Sequence, residues 1–376
     1  MSLTSKTPIG VLIVDDSPFM RLTLQKILNQ DPGIKVLDTA RDGREGILKL
    51  RALRPQVVTM DVGMPVMNGL QALEEIMRWQ PTPVIILSAV TTKGTQATLK
   101  ALDLGACDVV AKPSGSPGAD LQALSRDLVE KVKAAAGVNP ARQHVPLGVT
   151  VQAAPPRVVP STEVTPQTQP LTSPGNTGFT PKHAVEIVAI GTSTGGPSAL
   201  QAVLPTLPGN FPVPVLVAQH MPPGFTGPLA QRLNGLCPLN VREGIHGEVL
   251  KAGTVYVAPG GKQMQVQRKS EQLTLHIGDE APIPTLYHPS VDVMFLSLAK
   301  AVGKGTLGVV MTGMGSDGTK GMKELNALEG FAIAESEETS VVYGMPRSLV
   351  DAGLADRVVP LGEIGRTIVE CVMRRG

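Results

Sequence analysis

The chain has 376 residues, of which 42% are hydrophobic and 18% are charged, so it can fill a sizeable core and is not disordered throughout. This length fits two to three domains. The 34 basic and 32 acidic residues leave a net charge of +2, and aromatic residues are only 3% of the chain, so nucleic acid is not a favoured partner.

The start of the chain, residues 1–16, lacks a long apolar run and reaches two acids, so it is not predicted to be a secretory signal. No stretch of about 18 apolar residues predicts membrane insertion. Cys107, Cys237 and Cys371 are odd in number and far apart, which excludes a disulfide framework or a zinc site. Three reduced thiols indicate a cytoplasmic protein.

The first segment alternates short β-branched runs with amphipathic stretches. This alternation predicts five βα units and a parallel sheet covered on both faces. The predicted strands are 11–14, 34–37, 57–60, 84–87 and 109–110.

Polar residues follow four of these predicted strands. Asp15 and Asp16 directly follow the first strand, and Asp61 follows the third. Ser88 follows the fourth strand and Lys112 follows the fifth. Carboxyl ends of parallel strands meet at one edge of a sheet, so three acids would converge there and repel one another without a cation. Oxygen ligands of this kind suit Mg²⁺. Mg²⁺ and an ammonium could together neutralise a phosphoryl group on an aspartate.

Each residue taken singly is weak evidence, because an aspartate at a strand end is more often a helix cap or turn residue. The joint pattern VLIVDDSPFMR, TMDVGMPVMNG, ILSA and AKP resembles the receiver domain of response regulators, here over residues 8–130. The resemblance implies that Asp61 accepts the phosphoryl group, that Asp15 and Asp16 help to hold Mg²⁺, and that Ser88 and Lys112 form the phosphoryl switch.

Two positions depart from the receiver pattern. Gly63 stands two residues after the phosphoacceptor, where relatives usually carry a polar or acidic side chain, so the lifetime of the phosphorylated state is not predictable. Val109 stands where many receivers have an aromatic switch residue. Aromatic rotation is therefore not the expected signal.

Residues 137–182 contain nine prolines among Ser, Thr and Gln, with neither helical nor alternating periodicity. This composition predicts a proline-rich linker. It separates two segments of ordinary domain size, 8–130 and 183–376.

The second segment repeats the α/β theme. Apolar runs at 185–190, 213–218, 255–258 and 307–311 each end in a turn rich in Gly, Pro or His, and residues 262–276 predict a local hairpin. The predicted fold is therefore α/β with two doubly wound parallel-sheet domains, the first flavodoxin-like and the second Rossmann-like.

The turn GTSTGGP at 191–197 fits G-x-S-x-G and places Ser193 between a strand and a helix. Taken alone, the motif is explained equally well by a phosphate-binding loop, a nucleophile turn or a structural turn. His220, which directly follows the apolar run VPVLVA and Gln219, is the candidate base, with His288 as runner-up. Asp317, after another apolar run, is the candidate acid; alone, it is equally explained as a helix N-cap.

The motifs GTSTGGP, QHMPPGFT, YVAPGG and LGVVMTGMGSDG resemble the catalytic domain of the CheB family of chemotaxis methylesterases, over residues 183–376. The resemblance implies a Ser193–His220–Asp317 triad, with backbone N–H groups near Thr194 and Met314 as oxyanion donors and no cofactor for hydrolysis. It implies hydrolysis of glutamate methyl esters on methyl-accepting chemotaxis receptors, with glutamine deamidation by the same route.

The two-domain order implies phosphorylation of Asp61 by the chemotaxis histidine kinase, which relieves a block of the hydrolase by the receiver. Because a long tether lowers effective concentration, we expect weaker basal inhibition than in relatives with short linkers. Two rival hypotheses remain: an output domain that only binds, with Ser193 in a phosphate loop, and a regulated serine hydrolase for a different ester.

Overall fold

The computed structural model describes residues 7–113, 119–138 and 180–373. In the first part, five strands alternate with five helices. The strands are β1 (Ile9–Val14), β2 (Ile34–Ala40), β3 (Val57–Asp61), β4 (Val84–Ser88) and β5 (Asp108–Ala111). The helices are α1 (Pro18–Asn29), α2 (Gly43–Leu53), α3 (Gly69–Trp79), α4 (Thr92–Asp103) and α5 (Ala119–Ala136). The strands form one parallel sheet in the order β2-β1-β3-β4-β5, which confirms the predicted flavodoxin-like fold.

The central strands of this sheet read as unbroken apolar runs because helices cover both faces. Residues 11–14 of β1 are fully buried, for example. The chain then leaves β1 in a fixed turn. The backbone N–H of Ser17 donates to Asp15 Oδ1 at 3.0 Å, and the Ser17 hydroxyl caps α1 by accepting from Met20. Asp15 is thereby fixed at the carboxyl edge of the sheet.

The second part contains a larger sheet and a hairpin. The strands are β6 (Ile187–Thr192), β7 (Val215–Gln219), β8 (Asn240–Glu243), β9 (Thr254–Val257), β10 (Gln263–Lys269), β11 (Gln272–Gly278), β12 (Thr306–Val310), β13 (Phe331–Glu335) and β14 (Arg357–Val359). The helices are α6 (Gly196–Val203), α7 (Thr226–Leu236), α8 (Val291–Ala301), α9 (Thr319–Ala327), α10 (Met345–Asp351) and α11 (Leu361–Met373).

Seven of these strands form a parallel sheet in the order β14-β13-β12-β6-β7-β9-β8, while β10 and β11 pair as the antiparallel hairpin that the sequence predicted. The sequence prediction omitted β8, β13 and β14. Two of them are edge strands of three or four residues, too short to show periodicity. The chain order reverses at β6, so the carboxyl ends of β6, β7 and β12 border one crevice, where ligands bind in such sheets.

The two parts contact each other directly. Arg232 on α7 forms an ion pair of 2.6 Å with Asp103 at the end of α4, and Gln201 on α6 donates to the same carboxylate. Most of the predicted linker, 137–182, lies outside the described residues, so the domain boundaries stay predictions. In the described part of the chain, no helix has the length and apolar character needed to cross a membrane.

Candidate functional site

Ser193 lies on a tight turn between β6 and α6. Gly195 adopts φ +80°, which favours glycine, and a Cβ there would approach Val341 to 2.7 Å. The Ser193 N–H donates to the carbonyl of Thr312 after β12, at 3.0 Å. This turn therefore holds the serine, 8% exposed, at the carboxyl edge of the sheet.

His220 stands beside Ser193 because β6 and β7 are paired in register, Thr192 opposite Gln219. Each strand continues by one residue to the serine and the histidine. The His220 N–H donates to the Thr192 carbonyl at 3.0 Å, and the Gln219 side-chain amide donates to the Ser193 carbonyl at 2.9 Å. Backbone and side-chain hydrogen bonds thus join the two turns.

The structure brings His220 and Asp317 together, with His220 Nε2 2.7 Å from Asp317 Oδ2. A carboxylate accepts, so Nε2 carries the proton and Nδ1 is the nitrogen available as base. Nδ1 is buried and has no hydrogen-bond partner among residues 7–113, 119–138 and 180–373. Ser193 and His220 line one cavity, but the described side chains show no hydrogen bond between them.

Asp317 is held by the N-terminus of α8. Its Oδ1 accepts from the Ser290 hydroxyl at 2.9 Å and from the Asp292 N–H at 3.0 Å, and its Oδ2 accepts from the Val291 N–H at 2.7 Å. Burial alone raises the pKa of Asp317, but the hydrogen bond from His220 and the backbone N–H groups outweigh it and lower that pKa below its usual range. Asp317 is therefore ionised and can accept the hydrogen bond from His220 Nε2.

The alternative explanation, that Asp317 is the N-cap of the helix that follows it, was wrong. The following helix α9 has Gly318 as its N-cap. Asp292 serves that helix instead, with Oδ1 accepting from the N–H groups of Gly318 and Gly321 at 2.9 and 2.8 Å. Asp317 thus supports the N-terminus of α8, which contains Asp292, and Asp292 supports the N-terminus of α9, which follows Asp317. The local sequence does not reveal this arrangement.

Sequence reasoning also missed Glu335, a fully buried residue at the end of β13. Its Oε2 accepts from the Thr312 N–H at 2.8 Å, while the Thr312 hydroxyl donates to the carbonyl of Thr194 at 2.9 Å. Burial raises the pKa of Glu335 to about 7. Through Thr312, this buried glutamate is therefore connected to the turn that carries Ser193 and Thr194.

The predicted oxyanion donors lie on two loops of the crevice. Thr194 and Met314 both line the cavity. In the described part of the chain, neither backbone N–H donates to another protein group, whereas those of Ser193 and Gly313 donate to carbonyls. Their role as oxyanion donors stays a prediction.

The crevice contains a cavity of about 720 Å³ that both domains line. Ser193, His220 and Tyr287 belong to one side. The other side is formed by residues of the first domain: Lys112, Pro113, Arg126, Asp127 and Glu130. Residues of the first domain therefore line the same cavity as Ser193 and His220.

The acidic residues of the first domain converge as predicted. The carboxylate oxygens of Asp15, Asp16 and Asp61 lie within 4.8 Å of one another, and Lys112 Nζ lies 2.8 Å from Asp15 Oδ2 and 2.9 Å from Asp61 Oδ1. Burial lowers the pKa of Lys112, but hydrogen bonds to these two acids outweigh it and raise that pKa. The hydroxyl of Ser88 donates instead to the carbonyl of Gly94, at 3.2 Å.

Comparison with known proteins decides the family. The family model for CheB methylesterase matches residues 188–368, and the model for the response regulator receiver domain matches residues 11–122. The protein-glutamate methylesterase/protein-glutamine glutaminase of Desulfitobacterium hafniense (strain Y51) is 70% identical over 98% of this chain and 99% of its own. The chain belongs to the CheB methylesterase family. The family member of Moorella thermoacetica with the same name is 42% identical over 98% of this chain and 99% of its own.

Solved CheB structures match each half of the chain. The CheB methylesterase catalytic domain of Thermotoga maritima is 41% identical, covering 50% of this chain and 99% of its own, with a TM-score of 0.48. The response regulator domain of Thermotoga maritima CheB is 43% identical, covering 35% of this chain and 99% of its own, with a TM-score of 0.33.

Proposed function

We propose that this CheB-family chain hydrolyses glutamate methyl esters on methyl-accepting chemotaxis receptors and releases methanol. The observation that carries the proposal is the His220–Asp317 pair. Its second imidazole nitrogen has no partner in the described part of the chain and lies in a cavity that Ser193 also lines. Family membership supplies the substrate class, since the relatives compared above are named for action on protein glutamates.

In the proposed reaction, Ser193 Oγ attacks the ester carbonyl carbon while His220 Nδ1 takes the hydroxyl proton. Asp317 holds the tautomer and stabilises the imidazolium. The tetrahedral intermediate expels the methoxy group, which leaves as methanol with the proton from His220. Water, deprotonated by His220, then attacks the acyl-serine and releases the glutamate carboxylate and the serine hydroxyl.

Backbone N–H groups of Thr194 and Met314 would stabilise the oxyanion of each tetrahedral intermediate. Removing one such donor typically costs about 3 kcal/mol. A receptor glutamine would follow the same steps with ammonia as the leaving group, in keeping with the glutaminase name of the relatives. We therefore extend the proposal to deamidation.

Regulation is assigned to the receiver, with Asp61 accepting a phosphoryl group from a chemotaxis histidine kinase. The oxygen ligands of Asp15, Asp16 and Asp61 suit Mg²⁺, which would neutralise phosphoryl charge when bound. Lys112 Nζ lies 2.9 Å from Asp61 Oδ1, which supports a contact with the phosphoryl group, and Ser88 would turn from the Gly94 carbonyl to reach it. A cytoplasmic location stays a prediction.

Direct contacts support inhibition by the unphosphorylated receiver. The Thr194 hydroxyl donates to Asp108 Oδ2 at 2.6 Å, next to the nucleophile, and Lys131 Nζ lies 3.2 Å from the other carboxylate oxygen. Asp108 begins β5, the strand that leads to Lys112. Strand β5 and the Thr194–Asp108 hydrogen bond would therefore connect a change at the phosphoryl site to the turn that carries Ser193.

The test is methanol release from methylated receptor membranes, with and without a phosphodonor. We expect release by the full chain, stimulation by the phosphodonor and complete loss in Ser193→Ala. Methanol release by a folded Ser193→Ala variant would contradict the mechanism. A wild-type chain that hydrolyses small esters but releases no receptor methanol would indicate a different ester substrate.

The strength of inhibition has its own test. Residues 184–376 alone are compared with the unphosphorylated full chain, and we expect only a modest increase because the tether is long. A strong increase on truncation would contradict weak basal inhibition.

A further inference from the structure

Tyr287 lies in the loop between β11 and α8, and its ring stacks on the imidazole of His220. The ring centroids are 4.1 Å apart and the planes differ by 7°. The contact is made inside the cavity that contains Ser193. A nearly parallel aromatic face at this distance restricts rotation of the imidazole.

The loop that carries Tyr287 is tied to the catalytic acid by polar contacts. Gln263 donates through its side-chain amide to the Tyr287 carbonyl at 2.8 Å and accepts from the Ser290 N–H at 2.9 Å. Ser290 in turn donates to Asp317 Oδ1 at 2.9 Å. One hydrogen-bonded chain therefore connects the stacked ring to the carboxylate of the triad.

A single hydrogen bond from His220 Nε2 to Asp317 leaves the imidazole free to swing about that bond. Its other nitrogen, Nδ1, is buried without a hydrogen-bond partner among the described residues. The face of Tyr287 supplies the missing restraint on the ring plane. The hydroxyl oxygen of Tyr287 lies near Gly315. A Cβ atom added to that glycine would be 3.5 Å from the oxygen.

We propose that Tyr287 is a positioning residue that fixes the imidazole plane of His220 so that Nδ1 faces Ser193. This inference rests on the proposed function. The flat ring does this, not the hydroxyl: burial raises the pKa of Tyr287 to about 12, so the phenol stays neutral throughout the working pH range. The side chain contributes no charge to the chemistry.

The experiment compares Tyr287→Leu and Tyr287→Phe in the full chain, activated with a small phosphodonor. Misplacing a catalytic group typically costs about 100-fold in rate, so we expect Tyr287→Leu to lower kcat by about 10- to 100-fold with KM nearly unchanged. Phenylalanine keeps the flat ring, and Tyr287→Phe should restore most of kcat. Ile245→Ala, which shortens an exposed apolar side chain that is not among the residues lining the cavity, is the control.

A second readout is the rate at which a fluorophosphonate labels Ser193, because labelling needs the activated serine but no receptor. We expect labelling to slow in Tyr287→Leu in parallel with kcat. Equal kcat and labelling in Tyr287→Leu and wild type would overturn the inference, as would an equal loss in the Phe and Leu variants. If wild type labels at Ser193 and the Leu variant does not, yet neither releases methanol, the positioning role stands while the proposed substrate fails.

Discussion

The hydrolase site and the phosphoacceptor site both lie at the carboxyl edge of a parallel sheet, but they treat acidic side chains in opposite ways. The hydrolase surrounds one acid, Asp317, with four hydrogen-bond donors. The receiver brings three acids together, and the ammonium of Lys112 pairs with two of them, Asp15 and Asp61. Hydrogen bonds within the fold therefore stabilise the ionised carboxylate of Asp317. The receiver acids keep excess negative charge for a cation and a phosphoryl group.

The largest expected effect tests the hydrolase half of this comparison. In Asp317→Asn the carboxamide keeps the shape but cannot hold the imidazolium, and it favours the wrong tautomer. We expect kcat for methanol release to fall by about 10³- to 10⁴-fold. Asp292→Asn is the control, since it alters the neighbouring acid that caps α9, and it should retain more than a tenth of the rate. Similar losses in both variants would assign Asp317 a structural role only.

Glu335 differs from Asp317 although both are buried acids next to the same sheet. Burial raises the pKa of Glu335 to about 7, whereas the pKa of Asp317 is lowered. Its contribution to stability is present below the unfolded value of about 4.5 and is lost as pH rises to about 7. Glu335→Gln cannot ionise, so its free energy of unfolding should lack the fall of on the order of 3 kcal/mol that wild type shows as pH rises from about 4.5 through about 7. Hydrogen exchange of peptides that contain β12 and β13, recorded at several pH values, measures this pH dependence of stability. Parallel pH dependences in the two proteins would refute the ionisation of Glu335.

The receiver half is tested by Asp61→Asn. The amide cannot accept a phosphoryl group, so stimulation of methanol release by a phosphodonor should disappear while the unstimulated rate persists. Lys112→Ala provides a second variant at the same site, with stimulation reduced because phosphoryl charge is less well neutralised. Stimulation that survives Asp61→Asn would place the phosphoacceptor elsewhere.

The smallest effect concerns the contact between the two regions. Asp103→Ala removes the ion pair with Arg232, which lies away from both sites. Such pairs contribute about 1 kcal/mol or less, so the unstimulated rate should rise by no more than about fivefold. Thermal unfolding should be nearly unchanged. A fall in unstimulated rate would show that docking of the receiver assists hydrolysis instead of blocking it.

Much of the fold followed from local signals. The apolar runs before Asp15, Asp61, Ser193 and His220 identified buried parallel strands, and the residues at their ends then fell on one edge of each sheet. The strands that escaped prediction were β13 and two short edge strands. The two edge strands have only three or four residues and carry little periodicity, whereas β13 has five, as many as the predicted β12. The place of all three in the sheet depends on pairing with neighbours that are distant in the chain.

The order of two α/β domains, the turn that carries Ser193 and the strand-end positions of His220 and Asp317 were readable from the amino-acid sequence. The tertiary structure was needed to show that Nε2 of His220 bonds to Asp317 and that Nδ1 has no hydrogen-bond partner within residues 7–113, 119–138 and 180–373. It also placed Tyr287 against the imidazole and the receiver over the cavity. The physical reason is distance along the chain: strand ends obey local hydrophobic patterns, whereas ring stacking, helix-terminus contacts and domain docking depend on residues tens of positions apart.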